Sequence, residues 1–247
     1  MKEFYIDNDG IRLHAKLDLP ENTEKCPLMI LFHGLTGHME EEHIIAAMET
    51  AVAAGYGVLR AEMYGHGKSG GKFEDHTLFK WTTNGLAVID YAKTLDVVTD
   101  LYLCGHSQGG LLTILLAGMK VRDIKAIIPM SPAIVITDGA RKGNMLGMQF
   151  DPENIPDMFD LKDKHLNGNY FRTAQMIHED DAIRRFHKPV LLIHGDADQA
   201  VPVQYSIDAA EKYANARLVV IKGDDHNYHS HLDQVMAALR QFLIEQK

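Results

Sequence analysis

Cysteine is nearly missing from this chain. There are two in 247 residues, Cys26 and Cys104, far apart in sequence. Two thiols cannot build the multi-bridge framework that staples small secreted folds, and Cys104, inside the apolar run from Leu101, reads as a small core residue. Long apolar runs are missing too. No stretch approaches the roughly 18 continuous apolar residues of a membrane span. The amino terminus MKEFYIDNDGIRLHAKLDLPE has neither the apolar centre nor the small-residue cleavage site of a secretion signal. A cytoplasmic location with no membrane partner is expected. Positive charge is the minority sign, 25 Lys and Arg against 34 Asp and Glu, and a net charge of −9 disfavours nonspecific nucleic-acid binding. Neither an HExxH nor a zinc-ribbon spacing occurs, so no metal ion and no cofactor is expected. GHGKSG, Gly65 to Gly70, fits G-x-G-x-x-G, but no helical pattern opens at its third glycine. A P-loop fails because Glu62 stands where its first glycine belongs.

What is present is a regular alternation. EFYIDN and RLHAKLDLP alternate apolar and polar residues like half-exposed antiparallel strands. Short apolar runs then follow, in PLMILFHG, YGVLRAEMYG, DLYLCGHS, IKAIIPMSP, PVLLIHGDAD and RLVVIKGDDH. Between most of them lie segments of helical spacing, such as LFKWTTNGLAVIDYAKTL and LDQVMAALRQFLIEQ. This pattern predicts an α/β fold, a mostly parallel sheet flanked by helices on both faces. Residues 133–186 break the rhythm, with no buried-strand run and a composition rich in Met, Asp, Asn and Gly. A connection of that size carries structure or function of its own. It is expected to be a cap inserted between two sheet strands, residues 1–132 and 187–247 forming the core.

The unusual residues fall directly after buried strands, in HGLTGH, GHGKSGG, GHSQGG, HGDAD and GDDH. In parallel sheets the carboxyl ends of the strands are where chemistry sits. Gly105-His106-Ser107-Gln108-Gly109 satisfies G-x-S-x-G between a strand and a helix, which makes Ser107 the candidate nucleophile. A serine hydroxyl needs a base, and the base needs an orienting acid. Asp198 is preferred to Asp196 as the acid because HGDADQAVP resembles the hydrolase pattern in which the acid stands three after Gly and three before Val-Pro, whereas Asp196 reads as a turn residue. His226 is preferred as the base because it follows the last strand and its GDD turn at once. His229 and His231 suit exposed or capping roles, and a metal site from the three histidines has no supporting spacing. The oxyanion donors are expected to be the N–H groups of Gln108 and of Leu35, in the loop after the first long buried strand, with His33 bracing that loop.

These motifs resemble the α/β-hydrolase superfamily, and more closely the bacterial feruloyl (cinnamoyl) esterases, with the monoacylglycerol lipases behind them. The resemblance runs from the N-terminal strand pair through HGLTGH, RAEMYGHGKSGG, GHSQGG, HGDADQAVP and GDDH. It implies Ser107, Asp198 and His226 as a catalytic triad, and a cap that covers an aromatic acyl group. Tyr170 matches a cap residue that binds the ring hydroxyl in that family. Gly139, with Asp138 beside it, and Leu146 stand where relatives offer Asp and Gln, and with Met145 and Met148 they imply a more apolar pocket. Glu62 replaces a more usual Asp, a change expected to affect loop bracing rather than catalysis. The expectation is a serine carboxylic-ester hydrolase acting on hydroxycinnamate esters, a short-chain acylglycerol lipase or general carboxylesterase being the alternative. A haloalkane dehalogenase would need a carboxylate at position 107, and a catalytically dead binding protein would lack part of the triad. The expected partner is a small-molecule ester, and a homodimer is left open.

Overall fold

A computed structural model of the chain describes residues 1–145, 147–161 and 163–247. The chain begins with an antiparallel hairpin, β1 (Lys2–Asn8) and β2 (Ile11–Asp18), closed by Asp9 and Gly10, both at positive φ. That pair of left-handed residues is what a two-residue hairpin turn demands. The remaining elements, in order, are β3 (Cys26–Phe32), α1 (Glu42–Ala53), β4 (Gly57–Ala61), α2 (Leu78–Ala92), β5 (Val98–His106), α3 (Gln108–Met119) and β6 (Ile124–Met130). Then come α4 (Val135–Lys142), β7 (Asn144–Met145), β8 (Met148–Gln149), β9 (Met158–Leu161), β10 (Lys164–Asn167), α5 (Asn169–Gln175) and α6 (Glu179–Arg185). The chain closes with β11 (Val190–Gly195), α7 (Gln204–Lys212), β12 (Ala216–Ile221) and α8 (Leu232–Glu245).

Eight strands form the main sheet in the order β1-β2-β4-β3-β5-β6-β11-β12. Only β2 runs opposite to the other strands, antiparallel to both β1 and β4, and all pairings from β4 to β12 are parallel. This is the α/β-hydrolase fold. The period-two geometry of a strand divides the apolar residues of β3 between two cores. Met29 and Leu31 join Ile44 and Ala47 of α1 and Val235 and Leu239 of α8 on one face. Leu28, Ile30 and Phe32 join Trp81 of α2, Leu112 and Leu116 of α3 and Ala209 of α7 on the other.

The helix after β3 and the helix after β5 therefore lie on opposite faces, although β3 and β5 are neighbours in the sheet. Their connections diverge and leave a crevice at the carboxyl ends, the topological switch point of an open α/β sheet. The loop after β3 and Ser107 after β5 meet there. Between β6 and β11 the chain carries α4, α5, α6 and two ribbons, β7 with β8 and β9 with β10, neither of which joins the main sheet. Residues 133–186 have no long buried strand, as their polar composition implies. Among the described residues no helix is long and apolar enough to cross a membrane.

Candidate active site

Ser107 stands between β5 and α3 with φ 56° and ψ −118°, a conformation that costs energy in any residue but glycine. The surroundings hold it there. Its N–H donates to Met130 O at 2.9 Å, and its carbonyl accepts from Ala133 and Leu111. A Cβ on Gly105 would lie 2.3 Å from Gly109 O, and one on Gly109 would lie 2.5 Å from His33 O. Both glycines are steric requirements of the turn. The hydroxyl projects at the amino end of α3, where the first N–H groups lack intrahelical acceptors.

His226 reaches this hydroxyl from the loop after β12. Ser107 Oγ–H donates to His226 Nε2 at 2.9 Å, and His226 Nδ1–H donates to Asp198 Oδ2 at 2.6 Å. Asp198 follows β11 and is buried. Its Oδ1 accepts the N–H groups of Ala200 and Val201 at 2.8 Å each. Burial alone would raise the Asp198 carboxyl pKa. Hydrogen bonds from His194 and His226, with the charge of His226, outweigh that and hold it well below the usual carboxylate range.

The loop that carries His226 is built by its neighbours. The fully buried carboxylate of Asp224 accepts the N–H groups of Asp225, Ser230 and His231 at 3.0–3.1 Å. Tyr228 is buried at φ 62°, its hydroxyl bridging Ser131 Oγ and Ile193 O. His106, the variable residue of the serine motif, donates from Nε2 to His226 O at 2.7 Å. His229 is exposed and pairs with Asp225, while His231 occupies the N-cap of α8. Among the described residues no group of three or more His, Cys, Asp and Glu side chains is placed to hold a metal ion.

Leu35 and Gln108 flank Ser107, and among the described residues neither backbone N–H has an acceptor within the protein. His33 is buried, donating from Nδ1 to Gly34 O and accepting the Met63 N–H at Nε2, so it ties the loop after β3 to the chain after β4. Asp196 accepts the Gly223 N–H, joining the turns after β11 and β12. Glu62 accepts the Lys68 N–H and is paired with His14 at 2.8 Å, bracing the GHGKSGG loop against β2.

A cavity of about 400 Å³ opens on Ser107 and His226, within the size range of small-molecule sites. Leu35, Ala133, Val135, Ile136, Leu161 and Val201 give it apolar walls, and Thr36 and Gln199 add polar side chains. Tyr170, Asp138 and Met145, expected from sequence to bind substrate, do not line this cavity. Tyr170 is fully buried and donates its hydroxyl to Gln108 Oε1 at 2.6 Å. Asp138 accepts from Tyr205 at 2.6 Å and from Lys142, facing a separate charged cleft between α4 and α7. Met145 is buried in the core, and Leu146 lies outside the described residues. Sequence reasoning missed Val135, Ile136, Leu161 and Gln199 at the cavity wall. It also missed His194, whose Nε2 lies 3.1 Å from Asp198 Oδ2.

Residues 23–159 match the family model described as serine aminopeptidase, S33, and residues 169–247 match one described as TAP-like protein. The structure of Est1E from Butyrivibrio proteoclasticus with ferulic acid bound is 56% identical, covers 98% of each chain and superposes with a TM-score of 0.97. Human palmitoyl-protein thioesterase ABHD10 is 26% identical over 85% of this chain and 70% of its own. Human ABHD12B is 23% identical, and the match covers 61% of its length.

Proposed function

Because the chain belongs to the α/β-hydrolase family described as serine aminopeptidase, S33, and is a serine esterase, we propose that it hydrolyses esters through an acyl-enzyme on Ser107, with feruloyl or cinnamoyl esters as substrates. The observation that carries this reading is the hydrogen-bonded series Ser107 Oγ, His226 Nε2, His226 Nδ1 and Asp198 Oδ2, at 2.9 and 2.6 Å, facing an apolar cavity. Ser107 Oγ attacks the ester carbonyl carbon while His226 takes its proton. The carbonyl electron pair moves to oxygen, where the N–H groups of Leu35 and Gln108 stabilise it. Asp198 orients the imidazole and stabilises its cation. Collapse expels the alcohol, protonated by His226, and water then repeats the sequence on the acyl-enzyme.

The aromatic acyl group is supported by the likeness to Est1E, whose structure holds ferulic acid, and by the size and apolar walls of the cavity. Residues 133–186 act as a cap on the core formed by 1–132 and 187–247, because Val135, Ile136 and Leu161 from that stretch face the nucleophile. A second reading, an acylglycerol lipase or general carboxylesterase, is favoured by one observation. Neither Asp138 nor the Tyr170 hydroxyl is free in the cavity to meet a ring hydroxyl.

The test compares kcat/KM for methyl ferulate, methyl cinnamate and methyl hexanoate, with Ser107→Ala as the blank. Loss of the nucleophile should lower turnover by roughly 10⁴-fold or more without unfolding the protein. Preference for the two aromatic esters supports the first reading, and preference for hexanoate supports the second. Activity surviving in Ser107→Ala would overturn both.

A further inference from the structure

Asp198 Oδ2 is shared by two imidazoles. His226 Nδ1–H donates to it at 2.6 Å, and His194 Nε2 lies 3.1 Å from the same oxygen. His194 is near the end of β11 and fully buried, so it touches neither the cavity nor the reacting atoms. Its Nε2 faces two acceptors, Asp198 Oδ2 and Val201 O at 2.9 Å, and must therefore carry a proton. Its Nδ1 lies 2.7 Å from Ser206 Oγ on α7 and, in the neutral ring, accepts the hydroxyl hydrogen. With Oδ1 holding the Ala200 and Val201 amides, the carboxylate has four donors, and two of them are histidines that share Oδ2.

We propose that His194, kept in one tautomer by Ser206, is a positioning residue that acts through Asp198: it fixes the carboxylate and takes up part of its charge, which sets the basicity of His226. The proposal rests on the Ser107–His226–Asp198 reading of the site. A carboxylate that already accepts from His194 pulls less strongly on the imidazolium of His226. Removing that donor leaves more negative charge for His226, so the cation becomes easier to form. The buried pair thus tempers the base, as the partners behind a first row of functional groups commonly do.

Other titratable groups surround this unit. They are His106 at the end of β5, Glu41 and His43 at the start of α1, and Asp224, Asp225, Tyr228 and His229 in the loop after β12. Burial keeps His43 and His106 neutral around pH 6, and burial raises Glu41. All of them are common to the parent and to variants at position 194, so a difference between profiles reports on His194.

The measurement is the pH profile of kcat/KM for the parent, His194→Phe, His194→Gln and Ser206→Ala, with Ser107→Ala as the blank. His194→Phe should move the midpoint of the acid limb up by about half to one pH unit and lower neutral kcat/KM about tenfold. Gln places an N–H near the original Nε2 and should bring the midpoint back toward the parent value. Ser206→Ala, the milder change, should move the limb in the same direction by less, and it decides the matter if His194→Phe does not fold. A midpoint that stays put or falls in Ser206→Ala and in folded His194→Phe, with activity lowered evenly at all pH, overturns the proposal and leaves the triad reading standing. Activity persisting in Ser107→Ala overturns the triad reading and the proposal with it.

Discussion

Tyr170 commits its hydroxyl to Gln108 Oε1, 62 residues away in sequence, and packs its ring against His76 and Phe171. This ties α5, in the segment between β6 and β11, to the first residue of α3, whose N–H is a proposed oxyanion donor. Among the described residues Gln108 Nε2 has no partner, so losing the tyrosine hydroxyl would leave the buried amide with neither end bonded. Tyr170→Phe should cost about 1–3 kcal/mol of stability, read as a lower urea midpoint. It should also lower kcat about tenfold for aromatic and aliphatic esters alike, through a displaced donor. A loss confined to ring-hydroxylated esters would place the hydroxyl on the substrate instead. The choice of Asp198 over Asp196 rests on a resemblance to the hydrolase pattern, not on local spacing alone. Asp198 stands three residues after Gly195 and three before Val201-Pro202, whereas Asp196 serves the turn. His194 escaped notice because a histidine closing a buried strand looks like core, and its bond to Asp198 exists only once the following loop folds back.

At the scale of elements, the turn from β5 into α3 is the most tightly specified part of the molecule. Backbone of the turn, of β3 and of α3 meets across Gly105 and Gly109, with no room for a methyl group. Gly105→Ala should force strand and helix apart, at the 1–3 kcal/mol typical of overpacking or more, and lower Tm by roughly 5 °C. It should also cost activity out of proportion to the Tm change, because the serine moves with the helix. Thermal melting beside kcat/KM tests this, and a protein with unchanged Tm and turnover would refute the steric account. Most of the elements were readable from the sequence. Apolar runs of five to nine residues became β3, β4, β5, β6, β11 and β12, and the 3.6-residue patterns became α1, α2, α3, α7 and α8. The short ribbons and helices between β6 and β11 were not readable, because two- and four-residue strands carry no periodic signal.

For the molecule as a whole, several imidazoles are buried in the core and around the site. Burial lowers the pKa of His33 and His76 to about 3 and of His43 and His66 to about 4, and holds His106 well below the usual range. In the unfolded chain these groups bind protons near pH 6.5, but in the native state they stay neutral. The unfolded state therefore takes up more protons as pH falls, and the stability present above about pH 6.5 is lost progressively toward pH 4. Each such imidazole contributes up to about 1.4 kcal/mol per pH unit in that window. Urea midpoints from pH 7 to pH 4.5 should fall steeply, whereas a flat profile would mean that these rings are protonated in the native protein. The sequence by itself determined the strands of the main sheet, the helices that cover it and the residues that follow each of those strands, because strand periodicity and turn chemistry are set within a few neighbouring positions. Only the tertiary structure decided that His226 meets Asp198 across 28 residues and Ser107 across 119, that His194 shares the carboxylate, and that Tyr170 turns away from the cavity. Those contacts depend on strand order and on the faces that the helices take, and no local pattern encodes either.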